Sequence, residues 1–117
     1  MISLSIILLI LSAHFVADFI LQSSWMAVNK STSNKALSAH MYVYTMTLLV
    51  LTIWFGPLWI LWSAVNGVLH GLVDYFTSRW SAIFWQKGDT HNFFVVIGLD
   101  QLIHAITLLT TYYWIVL

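Results

Sequence analysis

Long apolar stretches alternate with short polar segments along the 117-residue chain. Four of these stretches have the roughly 20 residues that a helix needs to cross the hydrocarbon core of a bilayer. They cover residues 1–22, 35–55, 58–78 and 92–117. Gly56-Pro57 separates the second stretch from the third, and the proline predicts a tight reversal between two helices. The pattern predicts an all-α integral membrane protein, a single four-transmembrane-helix bundle over residues 1–117.

The other two connectors contain all four basic residues of the chain. Lys30 and Lys35 belong to the first connector, and Arg79 and Lys87 belong to the second. Four spans put both connectors on the same side of the membrane, and the positive-inside rule makes that side the cytoplasm. Both termini are therefore expected outside the cytoplasm, and the aromatic segment 79–91 is expected to lie at the interface.

The composition agrees with a membrane location and excludes several functions. Hydrophobic residues make up 61% of the chain and charged residues only 7%, whereas soluble domains have about 25% charged residues. The net charge of zero offers no electrostatic attraction to nucleic acid. The chain has no cysteine, which excludes disulfides, thiolate metal sites and cysteine nucleophiles.

Seven ionisable residues fall inside the predicted spans, where each costs about 2.5 kcal/mol or more unless it is paired. They are the carboxylates Asp18, Asp74 and Asp100 and the imidazoles His14, His40, His70 and His104. Polar residues at this depth mark functional sites, and all seven are expected in the cytoplasmic half of the bilayer.

Six of the seven residues form pairs with a spacing of four. The pairs are His14 with Asp18, His70 with Asp74, and Asp100 with His104. Residues four apart share one face of a helix, so each pair can present an imidazole and a carboxylate to the same point. In a helix bundle these faces would meet in the core, where bundles hold metal ions.

These six residues are therefore predicted to be ligands of a divalent metal ion. Oxygen and nitrogen ligands without sulfur suit Zn²⁺, Mn²⁺ or Fe²⁺. His40, whose span has no carboxylate, is a candidate general base or a further ligand. Four polar neighbours are expected to surround the ligands, namely Gln22, Tyr44, Asn66 and Gln101. Because the ligands outnumber the four that one zinc ion needs, either two ions bind or some residues act as hydrogen-bond partners or proton carriers.

The leading functional hypothesis is a metal-dependent hydrolase that acts on a lipid or amphiphile from the cytoplasmic leaflet. Lys30, Lys35 and Arg79 would lie near the mouth of the site and attract an anionic head group. Three alternatives stay open: transport of a divalent cation or proton, a non-catalytic membrane partner with a structural polar core, and a haem held between two histidines.

Two features favour a homo-oligomer, and a two-fold dimer is the commonest such assembly. Gly67 and Gly71 lie four residues apart, a spacing that lets helices approach closely, either in a dimer or in packing around the site. His40 has no carboxylate partner on its own span, which leaves its orienting contact unassigned.

The motifs also support a resemblance to a known family. The runs AHFVADFILQSSWMAVNKS, HGLVDYFTSR and LDQLIHA resemble a family of small bacterial and phage membrane proteins, the domain of unknown function 3307. The resemblance covers nearly the whole chain and implies a multi-span membrane protein without an assigned activity. It implies the bacterial inner membrane as the location, or a host membrane for a phage-encoded member. A looser likeness to bacterial inner-membrane metal-dependent hydrolases, which also carry intramembrane His and Asp, slightly favours hydrolysis.

Overall fold

The computed structural model describes residues 2–117 and contains no β-strand within them, which confirms the predicted all-α class. The long α-helices correspond, in chain order, to the predicted apolar stretches, and one additional short helix lies in the first connector. The helices are α1 (Leu4–Phe15), α2 (Ser24–Asn29), α3 (Asn34–Thr52), α4 (Leu58–Gln86) and α5 (Thr90–Thr111).

The first apolar stretch is not one regular helix. Helix α1 begins after Ser3, whose hydroxyl accepts a hydrogen bond from the Ile6 N–H at 3.3 Å and caps the first turn. The chain then continues as a π-helical turn over Val16–Ile20, in which the Leu21 N–H donates to the Val16 carbonyl at 3.0 Å. Such turns often occur at functional sites, and this one contains Asp18. Met1, the first residue of the predicted span, lies outside the described residues.

The first connector is short and ordered by serine caps. The Ser23 hydroxyl accepts a hydrogen bond from the Met26 N–H and begins α2, and the Ser33 hydroxyl accepts one from the Ala36 N–H and begins α3. Both caps satisfy N–H groups that a helix end leaves without partners. They fix the position of Lys30, which directly follows α2.

The predicted reversal at Gly56-Pro57 is present. A 3₁₀ turn over Ile53–Phe55 ends α3, and α4 begins at Leu58. Gly56 has φ of 142°, a conformation that residues with a side chain rarely adopt.

Helix α4 continues to Gln86, beyond residue 78, where the third apolar stretch is predicted to end. Segment 79–86 contains neither glycine nor proline, so nothing in it interrupts the helix. Arg79 is accommodated on the helix surface, where it donates to the Tyr75 carbonyl and lies 3.7 Å from the centre of the Tyr75 ring. Gly88 then ends the helix with φ of 72°.

Within residues 2–117, two helical segments are long and apolar enough to cross a membrane. They are Asn34–Phe55 and Thr90–Val116, with mean hydropathies of 1.5 and 1.8. Leu4–Ile20 is apolar too, but it is shorter than these two segments. Helix α4 is long, but it carries Asn66, His70 and Asp74 in its middle. By length and composition, therefore, two of the four predicted spans qualify as membrane helices.

Helix α4 packs against both α3 and α5, and α1 contacts α3 and α5. At one end of this arrangement large apolar side chains form what we call the apolar core, Ile10, Leu48, Trp59, Trp62 and Leu108. The buried ionisable residues come from further along the chain in α1 and α4, from the beginning of α3 and from the middle of α5. The fold therefore separates an apolar half from a polar half.

The glycine pair of α4 packs inside the chain. A methyl group on Gly67 would overlap the Thr45 side chain, and one on Gly71 would overlap Met41. Helix α3 therefore covers this face within the chain, which favours the interpretation of close helix packing around the site. A homodimer stays a prediction, but the glycine face no longer supports it.

Candidate metal centre

All seven ionisable residues of the predicted spans come together in the polar half, and none is more than 6% exposed. Asp18 comes from the π-helical turn after α1, and His40 from the second turn of α3. His70 and Asp74 come from the middle of α4, and α5 supplies Asp100 and His104. The spacing of four on α4 and α5 places each of those pairs on one helix face, as the sequence predicts.

Four side chains point to a common position, and we call them the first ligand group: Asp18, His40, His70 and Asp74. The two Nε2 atoms of His40 and His70 lie 2.9 Å apart. The His40 Nε2 lies 3.0 Å from Asp18 Oδ1 and 3.3 Å from Asp74 Oδ2, and the His70 Nε2 lies 3.3 Å from each of the same oxygens. Zinc ligands at 2.0–2.1 Å in a tetrahedron are about 3.3–3.4 Å apart. These five separations therefore come close to the edges of a tetrahedral site.

Aromatic stacking orients His70. The ring of Tyr44 lies parallel to the His70 ring at 3.7 Å between centroids, and the His104 ring stacks on the other side at 4.0 Å. The Nδ1 atoms of His40 and His70 are buried, and within residues 2–117 neither has a hydrogen-bond partner. Ring packing thus replaces the Nδ1 hydrogen bond that usually orients a metal-binding histidine.

Asp18, Asp100 and His104 form a second ligand group, whose ligand atoms lie within 4.8 Å of one another. The His104 Nε2 lies 3.2 Å from Asp100 Oδ1 and 3.0 Å from Asp74 Oδ1. Asp18 belongs to both groups, and Asp74 faces the first group with one oxygen and His104 with the other. These two carboxylates therefore connect the groups.

His14 belongs to neither ligand group. Its Nδ1 lies 2.8 Å from the Tyr44 hydroxyl, and its Nε2 lies 2.8 Å from Gln101 Oε1. The distance from its Nε2 to Asp18 Oδ2 is 3.6 Å, too long for a hydrogen bond. Asp18 lies in the π-helical turn, which changes the angle between the two side chains relative to an α-helix. Both His14 nitrogens therefore contact neighbours of the ligands, and its role as a ligand stays a prediction.

Two of the four expected neighbours lie beside the ligands, and two lie apart. Gln101 donates to Asp18 Oδ2 at 2.9 Å and to Asp100 Oδ2 at 3.2 Å, and Tyr44 contacts His14 and His70 as described. Asn66 instead donates to the Trp62 carbonyl and to the Thr111 hydroxyl, joining α4 to α5. Gln22 makes no hydrogen bond to either group within residues 2–117, and its side-chain oxygen is buried without a donor.

Two residues that were not expected among the contacts of the ligands are found there. The Lys30 ammonium donates to Asp74 Oδ2 at 3.0 Å, and the Thr77 hydroxyl donates to Asp100 Oδ1. Thr77 follows Asp74 by three residues, so helical spacing is a signal that could have found it. Lys30 was expected near the mouth of the site, but spacing could not indicate its direct contact with Asp74, because 44 residues separate the two.

His40 also has its carboxylate contacts within the chain. Asp18 and Asp74 reach it from the first apolar stretch and from α4. The contact that the sequence left unassigned is therefore made within the chain, and it no longer supports a homodimer.

A cavity of about 500 Å³ opens beside the ligand groups. One end is polar, with Lys30, Asp74, Thr77, Ser78 and Asp100 in its wall. The other end is apolar and aromatic, with Val28, Ala82, Trp85, Phe93, Phe94 and Ile97. A molecule in this cavity can therefore contact the ligand groups at one end and apolar surface at the other.

The sequence matches one described family. The family described as protein of unknown function (DUF3307) matches residues 6–117, nearly the whole chain. The chain belongs to this family. No curated protein and no solved structure matches the chain.

Proposed function

We propose that this family member is a membrane-embedded, metal-dependent hydrolase that acts on a lipid or another amphiphile. The single observation that carries the proposal is the convergence of two imidazole nitrogens and two carboxylate oxygens at 2.9–3.3 Å in the first ligand group. A divalent cation bound by these two nitrogens and two oxygens would explain why they lie so close together.

The charges of the buried residues also favour a cation. Three carboxylates lie in the polar half, and the one lysine that reaches them contacts only Asp74. Buried carboxylates are destabilising unless a cation or several hydrogen bonds compensate them. Nitrogen and oxygen ligands of this kind suit Zn²⁺, Mn²⁺ or Fe²⁺.

In this proposal the first ion is held by the first ligand group. His40 is then a ligand rather than a general base, because its Nε2 faces the same point as the other three ligand atoms. A second ion would be held by the second ligand group, His104, Asp100 and Asp18. Pairs of ions about 3.5–4 Å apart are common in hydrolytic enzymes.

The reaction we propose is the addition of water across an ester bond. The oxygen of water forms a bond to the phosphorus or carbonyl carbon, and the bond to the leaving oxygen breaks. One proton of water goes to the leaving oxygen, and the other is released to solvent. The metal ion supplies polarisation of the ester and an activated nucleophile at neutral pH.

The proposed membrane location has support outside the centre. Large apolar side chains are exposed over the surface, among them Leu4 at 70%, Trp54 at 82% and Trp114 at 77%. Soluble monomers rarely expose continuous apolar surface to this extent. We propose four spans in the inner membrane of a bacterium, or in a host membrane, with the centre near the cytoplasmic face and both termini outside.

Transport of an ion has less support than hydrolysis. A pathway needs polar groups across the full thickness of the membrane. The apolar core, with the buried side chains of Trp59, Trp62 and Leu108, occupies the other half of the helices. The cavity beside the centre favours a bound molecule.

The test is hydrolysis by detergent-purified protein that has been loaded with Zn²⁺, Mn²⁺ or Fe²⁺. The substrates are single-chain phosphate esters and carboxylic esters, and product release is followed with and without a chelator. We expect hydrolysis that the chelator abolishes and that Asp74→Asn lacks, with Gln86→Ala, on the exposed end of α4, as the matched active control. Equal rates for wild type and Asp74→Asn, or no hydrolysis by the metal-loaded protein, would contradict the proposal.

A further inference from the structure

We infer that the cavity beside the ligand groups binds a single-chain amphiphile with a phosphate head group, and that Lys30 is the residue that binds the phosphate. This inference rests on the proposed function, because the head group lies against the metal-loaded centre. The substrate class is then a single-chain amphiphile with a phosphate head group, and Lys30 determines the specificity for that head group.

The two ends of the cavity indicate an amphiphile. Asp74 and Asp100, which belong to the ligand groups, line one end, and Trp85, Phe93 and Ile97 line the other. The volume of about 500 Å³ falls within the 300–1,000 Å³ typical of small-molecule sites. This volume suits one alkyl chain with its head group and is small for a lipid with two chains.

Lys30 gives the polar end a preference for an anion. It is the only basic residue that lines the cavity in the described part of the chain, and its side chain is 18% exposed. Its ammonium donates to Asp74 Oδ2, an oxygen that also belongs to the first ligand group. When a metal ion shares the charge of that oxygen, the ammonium keeps donors for a second anion, since it has three N–H groups.

A phosphate fits this end better than a carboxylate or a neutral group. Phosphate has three free oxygens, so it can contact a metal ion and an ammonium group at the same time, and lysine is a common phosphate ligand. The carboxylates of Asp74 and Asp100 would repel an anion without the metal, which makes binding depend on the ion.

Ser78 provides a further group for the head of the amphiphile. Its hydroxyl lines the cavity and is buried, and it has no hydrogen-bond partner within residues 2–117. A buried hydroxyl without a partner is destabilising, and an oxygen of a bound phosphate would supply the missing acceptor.

The test measures binding to detergent-purified, metal-loaded protein by calorimetry, with the metal content determined in the same samples. The probe is dodecyl phosphate. Dodecyltrimethylammonium has the same chain with a cationic head, and inorganic phosphate has the head without the chain. We expect dodecyl phosphate to bind at least about tenfold more tightly than the cationic probe, the lower end for a charged hydrogen bond of about 1.5–3 kcal/mol. It should also bind more tightly than inorganic phosphate, because its alkyl chain buries apolar surface in the cavity.

Three substitutions separate the contributions of the head and the chain. Lys30→Gln should weaken binding of dodecyl phosphate at least about tenfold without loss of metal, and Lys30→Arg should keep most of the affinity. Lys87→Gln, at the exposed end of α4, is the matched control and should bind like wild type. Ala82→Trp fills the apolar end of the cavity and should weaken binding of dodecyl phosphate but not of inorganic phosphate.

Distinct results overturn this inference and the proposed function. Protein that holds metal but binds the cationic probe or inorganic phosphate as tightly as dodecyl phosphate overturns this inference alone. Full affinity in metal-loaded Lys30→Gln overturns it too. Protein that takes up no metal overturns the proposed function, whatever it binds.

Discussion

The same helices build two regions that differ in almost every physical respect. In the apolar core, Trp59, Trp62 and Leu108 pack against each other, and the one polar atom of Trp62 donates to the Leu108 carbonyl at 3.2 Å. In the polar half, His40 and His70 bring two ring nitrogens to 2.9 Å between carboxylates. In the apolar core the polar atom of Trp62 has a hydrogen-bond partner, whereas in the polar half several ligand atoms lie close to one common position.

This difference separates stability from function within one small chain. The apolar core stabilises the fold by packing and needs no compensating charge. The polar half buries three carboxylates and four histidines, an arrangement that is destabilising without compensating charge. We conclude that the core holds the helices in register so that the polar half can keep its ligands in place.

The largest effect is expected for Asp74, which contacts both ligand groups and Lys30. Asp74→Ala should abolish stoichiometric metal binding, exceeding the about 10–100-fold loss of affinity that follows from removing a group that only orients a ligand. Metal analysis of the purified variant measures this loss. Asp74→Asn keeps the shape of the side chain, so retention of metal by this variant would mean that the residue acts only through hydrogen bonds.

A core substitution should do the opposite. Trp62 is fully buried and touches neither ligand group. Trp62→Ala should lower the free energy of unfolding by about 3–5 kcal/mol, with the same number of ions bound per folded chain. Trp54→Ala is the matched control, because Trp54 is 82% exposed. This substitution should lower the free energy of unfolding much less. A Trp62→Ala protein that is stable but has lost its metal would remove the distinction between the two regions.

A smaller effect is expected for Gln101, whose amide nitrogen donates to Asp18 and Asp100 and whose amide oxygen accepts from the His14 Nε2. Gln101→Ala should weaken metal binding by about 10–100-fold, the usual effect of losing a group that orients ligands. Competition with a chelator of known affinity measures the change. Gln86→Ala should bind metal like wild type, and equal affinity in both variants would remove Gln101 from the centre.

The smallest effect concerns Asp89, outside both regions. Its carboxylate caps α5 by accepting from the side chain and N–H of Asn92, and these hydrogen bonds lower the pKa of Asp89 below its ordinary value. Because the pKa is lower in the folded state, the contribution to stability is present above about pH 4, the ordinary aspartate pKa, and is lost as the pH falls through the folded pKa.

Thermal unfolding should therefore show a slightly lower midpoint for Asp89→Ala than for wild type at pH 7, and a smaller difference below about pH 4. Asp89→Asn keeps an N-capping side chain that does not titrate, and its midpoint should lack this pH dependence. A difference between wild type and Asp89→Ala that stays constant with pH would contradict this account of the cap.

The sequence could predict the helical class, the reversal at Gly56-Pro57 and the meeting of the His/Asp pairs, because each depends on local spacing. The pair on α4 and the pair on α5 face the same place for this reason. The end of α4 was harder to predict, since the aromatic and charged residues after Ser78 are typical of an interface and also compatible with a helix. The π-helical turn at Asp18 has no clear sequence signal, and it separates His14 from the ligand groups.

Contacts between distant parts of the chain could not be predicted. Lys30 reaches Asp74 because the serine caps and α2 fold the first connector back toward α4. The packing of Gly67 and Gly71 against α3 likewise depends on which helices are neighbours, and spacing alone does not decide between packing within the chain and between copies.

The most direct test of the central claim is X-ray absorption at the metal edge of detergent-purified protein, combined with its metal content. The account predicts about one or two divalent ions per chain, bound only by nitrogen and oxygen at about 2.0–2.2 Å with two imidazoles in the shell of the first ion. Protein that holds no stoichiometric ion after exposure to Zn²⁺, Mn²⁺ and Fe²⁺, or an ion without imidazole ligands, would contradict it.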